Sequence, residues 1–78
     1  MKTTQYFHFR RQLPDRSEIT DKMIQLVMAA PLKTETQDDG RIRMWALVEE
    51  AGGKYLRVVL LEDGVTVHNA FFDRKFKE

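Results

Sequence analysis

Gly40-Arg41-Ile42-Arg43-Met44-Trp45, Tyr55-Leu56-Arg57-Val58-Val59 and Val65-Thr66-Val67-His68-Asn69-Ala70-Phe71-Phe72-Asp73-Arg74 are the stretches whose reading decides the fold. In each, apolar residues share the chain with Arg or His at alternating positions, the period of a strand with two unlike faces. Ala51-Gly52-Gly53 and Glu62-Asp63-Gly64 separate them, and glycine readily takes the positive φ angles of a hairpin loop. Three strands, over residues 41–50, 54–61 and 65–72, therefore pair as a meander.

Alternation assigns their faces. Ile42, Met44, Ala46 and Val48 share one side with Leu56, Val58, Leu60, Val65, Val67 and Phe71, which forms the core. The other side collects Arg43, Trp45, Leu47, Tyr55, Arg57, Val59, Thr66, His68, Ala70 and Phe72. A shift of one residue in any strand would exchange its two sets.

Upstream, Tyr6-Phe7-His8-Phe9-Arg10 is aromatic and alternating and predicts a short strand, closed by Pro14, which has no N–H for a sheet ladder. Ile19, Met23, Leu26, Val27 and Ala30 then recur at helical spacing. Thr20 or Ser17 can cap that helix, Glu18 and Asp21 suit its positive end, and Pro31 stops it. Residues 32–36 predict a further short strand before the polar turn Gln37-Asp38-Asp39-Gly40. The expectation is an α+β domain in the order β-α-(β)-β-β-β, with one main helix on a four- or five-stranded antiparallel sheet. Residues 1–78 make a single domain, with residues 1–4 and 75–78 expected to fray.

Composition narrows the function classes. Seventy-eight residues, 42% apolar and 32% charged, suit one small folded domain. There is no cysteine, so disulfides and thiolate metal ligands are excluded. No apolar run approaches a membrane span or a signal peptide, so a cytoplasmic protein without a membrane partner is expected. The net charge of +1 gives no footprint for indiscriminate nucleic-acid binding, although Lys2, Arg10, Arg11 and Arg16 make the beginning of the chain basic. Phosphate-loop, nucleophile-elbow and dinucleotide fingerprints are absent, which disfavours nucleotide-driven, acyl-transfer and redox enzymes. No cofactor is expected. Histidine and carboxylate spacings give no metal site.

The remaining motifs point to an anion site on the open face. Arg43 and Arg57 fall on adjacent strands with the same parity, and two guanidinium groups can clamp a phosphate or pair instead with Glu49, Glu62 or Asp73. His8 and His68 are the only histidines. Imidazoles flanking a phosphate can divide acid and base roles, or can be half-buried groups bonded to backbone. Trp45 and Phe72 can stack on a base, cap a thin core or form a dimer contact. Arg10, Arg11 and Arg16 offer either a solvated surface or phosphate contacts near His8.

A first strand bearing His-x-Arg, a helix ending in Ala-Pro, then Gly-Arg-x-Arg-x-Trp, Leu-Arg-Val-Val, Asp-Gly and His-Asn-Ala-Phe-x-Asp-Arg resemble a group of small bacterial proteins. Through element order and scattered basic residues these resemble the RelE-like superfamily, which includes barnase-like and colicin-type ribonucleases. The resemblance implies metal-independent RNA cleavage on the open sheet face. His8 and His68 would be the acid–base pair, with Asp73 orienting them. Arg43 and Arg57 would be the phosphate cations, with Arg10, Arg16 and Arg74 adding RNA contacts and Trp45 stacking. RNA and a cognate antitoxin are the implied partners. The near-neutral charge and the absence of a lysine-rich helix depart from the toxin pattern. The competing expectation is a non-catalytic domain whose open face forms a homodimer or binds another protein.

Overall fold

The computed structural model describes residues 1–78. Helices α1 (Gln5–Arg10) and α2 (Asp21–Ala29) precede strands β1 (Lys33–Thr36), β2 (Ile42–Val48), β3 (Lys54–Leu60) and β4 (Val67–Phe72). The strands form one antiparallel sheet in the order β1-β2-β3-β4. The expected meander and α+β class are present. Gly52 and Gly53, at φ 76° and 79°, make the turn between β2 and β3.

The first element departs from expectation. Residues 5–10 are a helix rather than a strand, so the order is α-α-β-β-β-β and the sheet has four strands. Thr4 is extended and its hydroxyl accepts the Phe7 N–H at 3.0 Å, capping the first turn. Within this helix only Phe7 is buried. Five aromatic and polar residues are too few to separate period two from a helix that inserts a single ring. The strand-like pairing lies one step earlier, where Thr3 bridges Val67 in parallel and the Val67 N–H donates to the Lys2 carbonyl.

Helix α2 forms where the apolar spacing places it. Thr20 is the cap, accepting the Met23 N–H, while Ser17 instead donates to the Pro14 carbonyl. Its buried stripe of Met23, Ile24 and Val27 meets Val48, Leu56, Val58, Leu60 and Val67 from the sheet, with Phe7 and Ile19 closing the core. Burying each large aliphatic chain here stabilises the fold by about 1.5–3 kcal/mol.

Strands β2 and β3 keep the expected phase, but β4 does not. Leu60 pairs with Val67 and Val59 with Asn69, so one step on β3 spans two on β4 and His68 is left over as a bulge. Beyond it the faces are exchanged. Ala70 belongs to the core and Phe72 packs against it, while Asn69 and Phe71 join the open side. The expected core place of Phe71 and open place of Phe72 and Ala70 are thus reversed.

Candidate functional site

On the face away from α2, register aligns Trp45 of β2 with Arg57 of β3, and Arg57 with Phe71 of β4. The result is a file of alternating cations and rings. The Arg57 guanidinium stands 5.5 Å from the Trp45 ring and 5.1 Å from Phe71. Arg16 covers Phe71 at 5.3 Å, and Arg43 approaches Trp45 at 5.8 Å. Each such pair contributes about 0.5–2 kcal/mol according to its hydration.

Carboxylates hold this file in place. Arg43 pairs with Glu35 at 3.0 Å and Arg57 with Asp73 at 3.6 Å. Asp73 also accepts the Trp45 indole N–H at 2.9 Å. Burial raises the Asp73 pKa, but donors from Trp45 and Lys75 and the charge of Arg57 outweigh it, and the net shift is downward. Phe76 lies flat on Trp45, with centroids 5.0 Å apart and planes 16° from parallel, and meets Tyr55 edge-on. Trp45 retains only 5% of its exposure, so its ring is already occupied. The Nε–H groups of Arg43 and Arg57 are buried without an acceptor.

Beside this file lies a cleft of about 400 Å³, lined by Tyr6, Gln37, Arg41, Arg57, Val59, His68, Asn69 and Phe71. No carboxylate lines it. The bulge presents His68 here, its Nδ1 3.1 Å from the Thr4 hydroxyl and its ring stacked on Tyr6 at 4.7 Å. Its other nitrogen, Nε2, has no protein partner. Desolvation first, and then the positive charge of Arg41, lower the His68 pKa, with Asp39 opposing. The imidazole is therefore neutral at pH 7 and can accept or donate a proton within hydrogen-bond reach.

The site residues expected from sequence divide into groups. Arg43, Trp45, Arg57 and Asp73 come together, and Arg57 links them to the cleft of His68. His8 is exposed on α1, about 200° around the helix from the Tyr6 that covers His68. It is not a partner of His68. Arg10 stands over Tyr6 at 5.9 Å, at the margin of this group. Arg16 donates to the Asn69 side chain at 2.8 Å and to the Ala70 carbonyl at 3.2 Å, which ties the loop before α2 to β4. Arg74 borders a separate polar depression with Asp15, Glu18 and Lys54.

Sequence reasoning missed Arg41, Tyr6, Gln37 and Phe76. Arg41 had a legible signal, because it shares parity with Arg43. Tyr6 depends on the helical start of the chain, Gln37 on the turn between β1 and β2, and Phe76 on the path after β4. A second, largely apolar depression of about 410 Å³ lies between α2 and β2, lined by Leu26, Val27, Ala30, Ala46, Leu47 and Val48, with Glu49 and Glu50 at its edge. No three His, Asp or Glu side chains converge as metal ligands, and no helix is long and apolar enough to cross a membrane. The chain matches no protein-family model, no curated protein and no solved structure.

Proposed function

We propose that this protein is a small RNA-binding domain of the RelE-like type, taking a phosphate and its neighbouring sugar and base in the cleft of Arg41, Arg57 and His68. The observation that carries this reading is the composition of that cleft. Two guanidinium groups, an imidazole, two amides and two aromatic rings line it, while the carboxylates paired with its cations, Asp39 on Arg41 at 3.8 Å and Asp73 on Arg57 at 3.6 Å, lie outside the lining. Arg41 and Arg57 hold the phosphate by charge-assisted hydrogen bonds. Gln37 and Asn69 supply donors and acceptors for base edges or a 2′-hydroxyl, the group that distinguishes RNA from DNA. With a net charge of +1, binding uses few phosphates. One neutralised phosphate gives a salt slope of about −0.7 on logarithmic axes.

RNA cleavage extends the same reading. Its support is a neutral His68 with a free Nε2 beside two cations. His68 takes the proton of the 2′-hydroxyl, whose oxygen attacks phosphorus and expels the 5′-oxygen, leaving a cyclic phosphate. The guanidinium groups stabilise the added negative charge, and water protonates the leaving oxygen. With His8 elsewhere, the reaction lacks a second imidazole and is slow.

The test is binding and turnover of a labelled mixed-sequence single-stranded RNA without metal, using wild type, Arg41→Ala and His68→Ala. Arg41→Ala is expected to weaken binding about tenfold, an effect of roughly 1.4 kcal/mol on the affinity scale. His68→Ala is expected to retain most binding and lose any cleavage. A second reading is a protein-interaction domain, joined to a cognate antitoxin or to a second copy, and the apolar depression between α2 and β2 supports it. Absence of RNA binding together with a dimeric mass in solution would favour that reading.

A further inference from the structure

Phe76 occupies the seat on Trp45 that a nucleic-acid base would require. The stack is nearly parallel, the guanidinium groups of Arg43 and Arg57 stand 5.8 and 5.5 Å from the same indole, and Arg57 also lines the neighbouring cleft. We infer that the Trp45 surface is a second nucleotide subsite, held closed by Phe76 and opened when the base adjoining the cleft-bound phosphate displaces that ring. The inference rests on the RNA-binding reading of the cleft.

Three observations support it. First, indole flanked by guanidinium groups is the surface on which bases of any sequence stack. Second, the occupant is weakly fixed. Residues 73–76 follow β4 outside regular structure, and past the Asp73 amide their backbone bonds only to Asp73 itself, from Lys75 N–H to its carboxylate at 3.1 Å and from Phe76 N–H to its carbonyl at 3.4 Å. Third, the Nε–H donors of both flanking arginines are buried without acceptors, as is that of Arg10 on α1. An apolar ring cannot satisfy them, whereas a base or a 2′-hydroxyl offers acceptors. Asp73 is a positioning residue, because its carboxylate orients both the indole and Arg57 from the end of β4.

Trp45 is the only tryptophan, so its emission reports this subsite alone. The experiment titrates wild type, Phe76→Ala and Trp45→Phe with a mononucleotide and with a mixed-sequence tetranucleotide RNA, reading both affinity and Trp45 fluorescence. Phe76→Ala is expected to bind the tetranucleotide about tenfold more tightly, as removal of a competing stack predicts, and to leave mononucleotide affinity unchanged. In wild type, the tetranucleotide is expected to alter Trp45 emission while the mononucleotide does not. Trp45→Phe keeps a ring in the core of the file and is expected to weaken tetranucleotide binding alone. Tetranucleotide binding that leaves Trp45 emission unchanged and is unaffected by Phe76→Ala overturns the second subsite and leaves the cleft standing. Failure of every protein to bind either ligand overturns both.

Discussion

The two faces of this sheet come from the same strands but cohere by different physics. Toward α2, Leu56, Val58, Leu60 and Val67 are fully buried among aliphatic chains. Away from α2, Trp45 and Phe71 are held by guanidinium groups, one carboxylate and a ring contributed after β4. The first face has no polar alternative in water and is bound to the fold. The second is built from groups that exchange one partner for another at small net cost, as a binding surface must.

Substitutions should separate the faces by size of effect. Leu56→Ala leaves a void among chains with no exposure, and a loss of about 2–5 kcal/mol in urea denaturation is expected. An effect below that range would mean that the helix-facing side is as adaptable as the other.

Asp73→Asn retains an acceptor for the Trp45 indole but removes the charge beside Arg57. The pair is partly exposed, so a loss near 1 kcal/mol is expected. The pH dependence gives a sharper check. The folded pKa of Asp73 lies below its usual 3.8, so its contribution is present above that value and lost as pH falls below it. Acid unfolding of Asp73→Asn should lack this component.

Phe76→Ala tests the adaptable face at its outermost contact. We expect about 1 kcal/mol of lost stability, within the range of a stacked aromatic pair, accompanied by increased quenching of Trp45 fluorescence by a soluble quencher. A loss as large as that of Leu56→Ala would make Phe76 part of the core.

The smallest effect concerns His68. Its folded pKa is lowered, so well above pH 6.5 both states are neutral and the residue contributes no pH dependence. Below that value the unfolded chain takes up the proton first, and stability declines toward the folded pKa. His68→Gln should lose this slight decline, measured as the difference in Tm between about pH 7.5 and pH 5.

Much of this molecule is legible in its sequence. The alternation in β2 and β3 placed Arg43, Trp45 and Arg57 on one face, because a strand keeps its phase as long as its ladder is regular. The spacing of Met23, Leu26 and Val27, with Thr20 ahead and Pro31 behind, delimited α2 because cap and stop act within a few residues of chain. In β4 the same reasoning failed after one residue. His68 bulges out, and nothing in the order Val67-His68-Asn69 reveals which residue the partner strand will skip. At Tyr6-Phe7-His8-Phe9 the pattern was too short to choose between periods.

The candidate site shows the same division. Arg43, Arg57, His68 and Trp45 could be named individually, since each carries its chemistry in its side chain, whereas Arg41 was not. Their grouping could not. His68 meets Tyr6, Arg41 and Arg57 because the bulge turns it toward the start of the chain, and this same arrangement leaves His8 outside. The sequence leaves Trp45 open to stacking on a base, capping a thin core or a dimer contact, and the ring that lies on it is Phe76, thirty-one positions later. Local pattern specifies an element and the chemistry each of its faces carries, through interactions that span a few residues. Which faces meet, and which ring covers which, depends on pairing between segments far apart in sequence, where the energies of the whole packed chain make the choice.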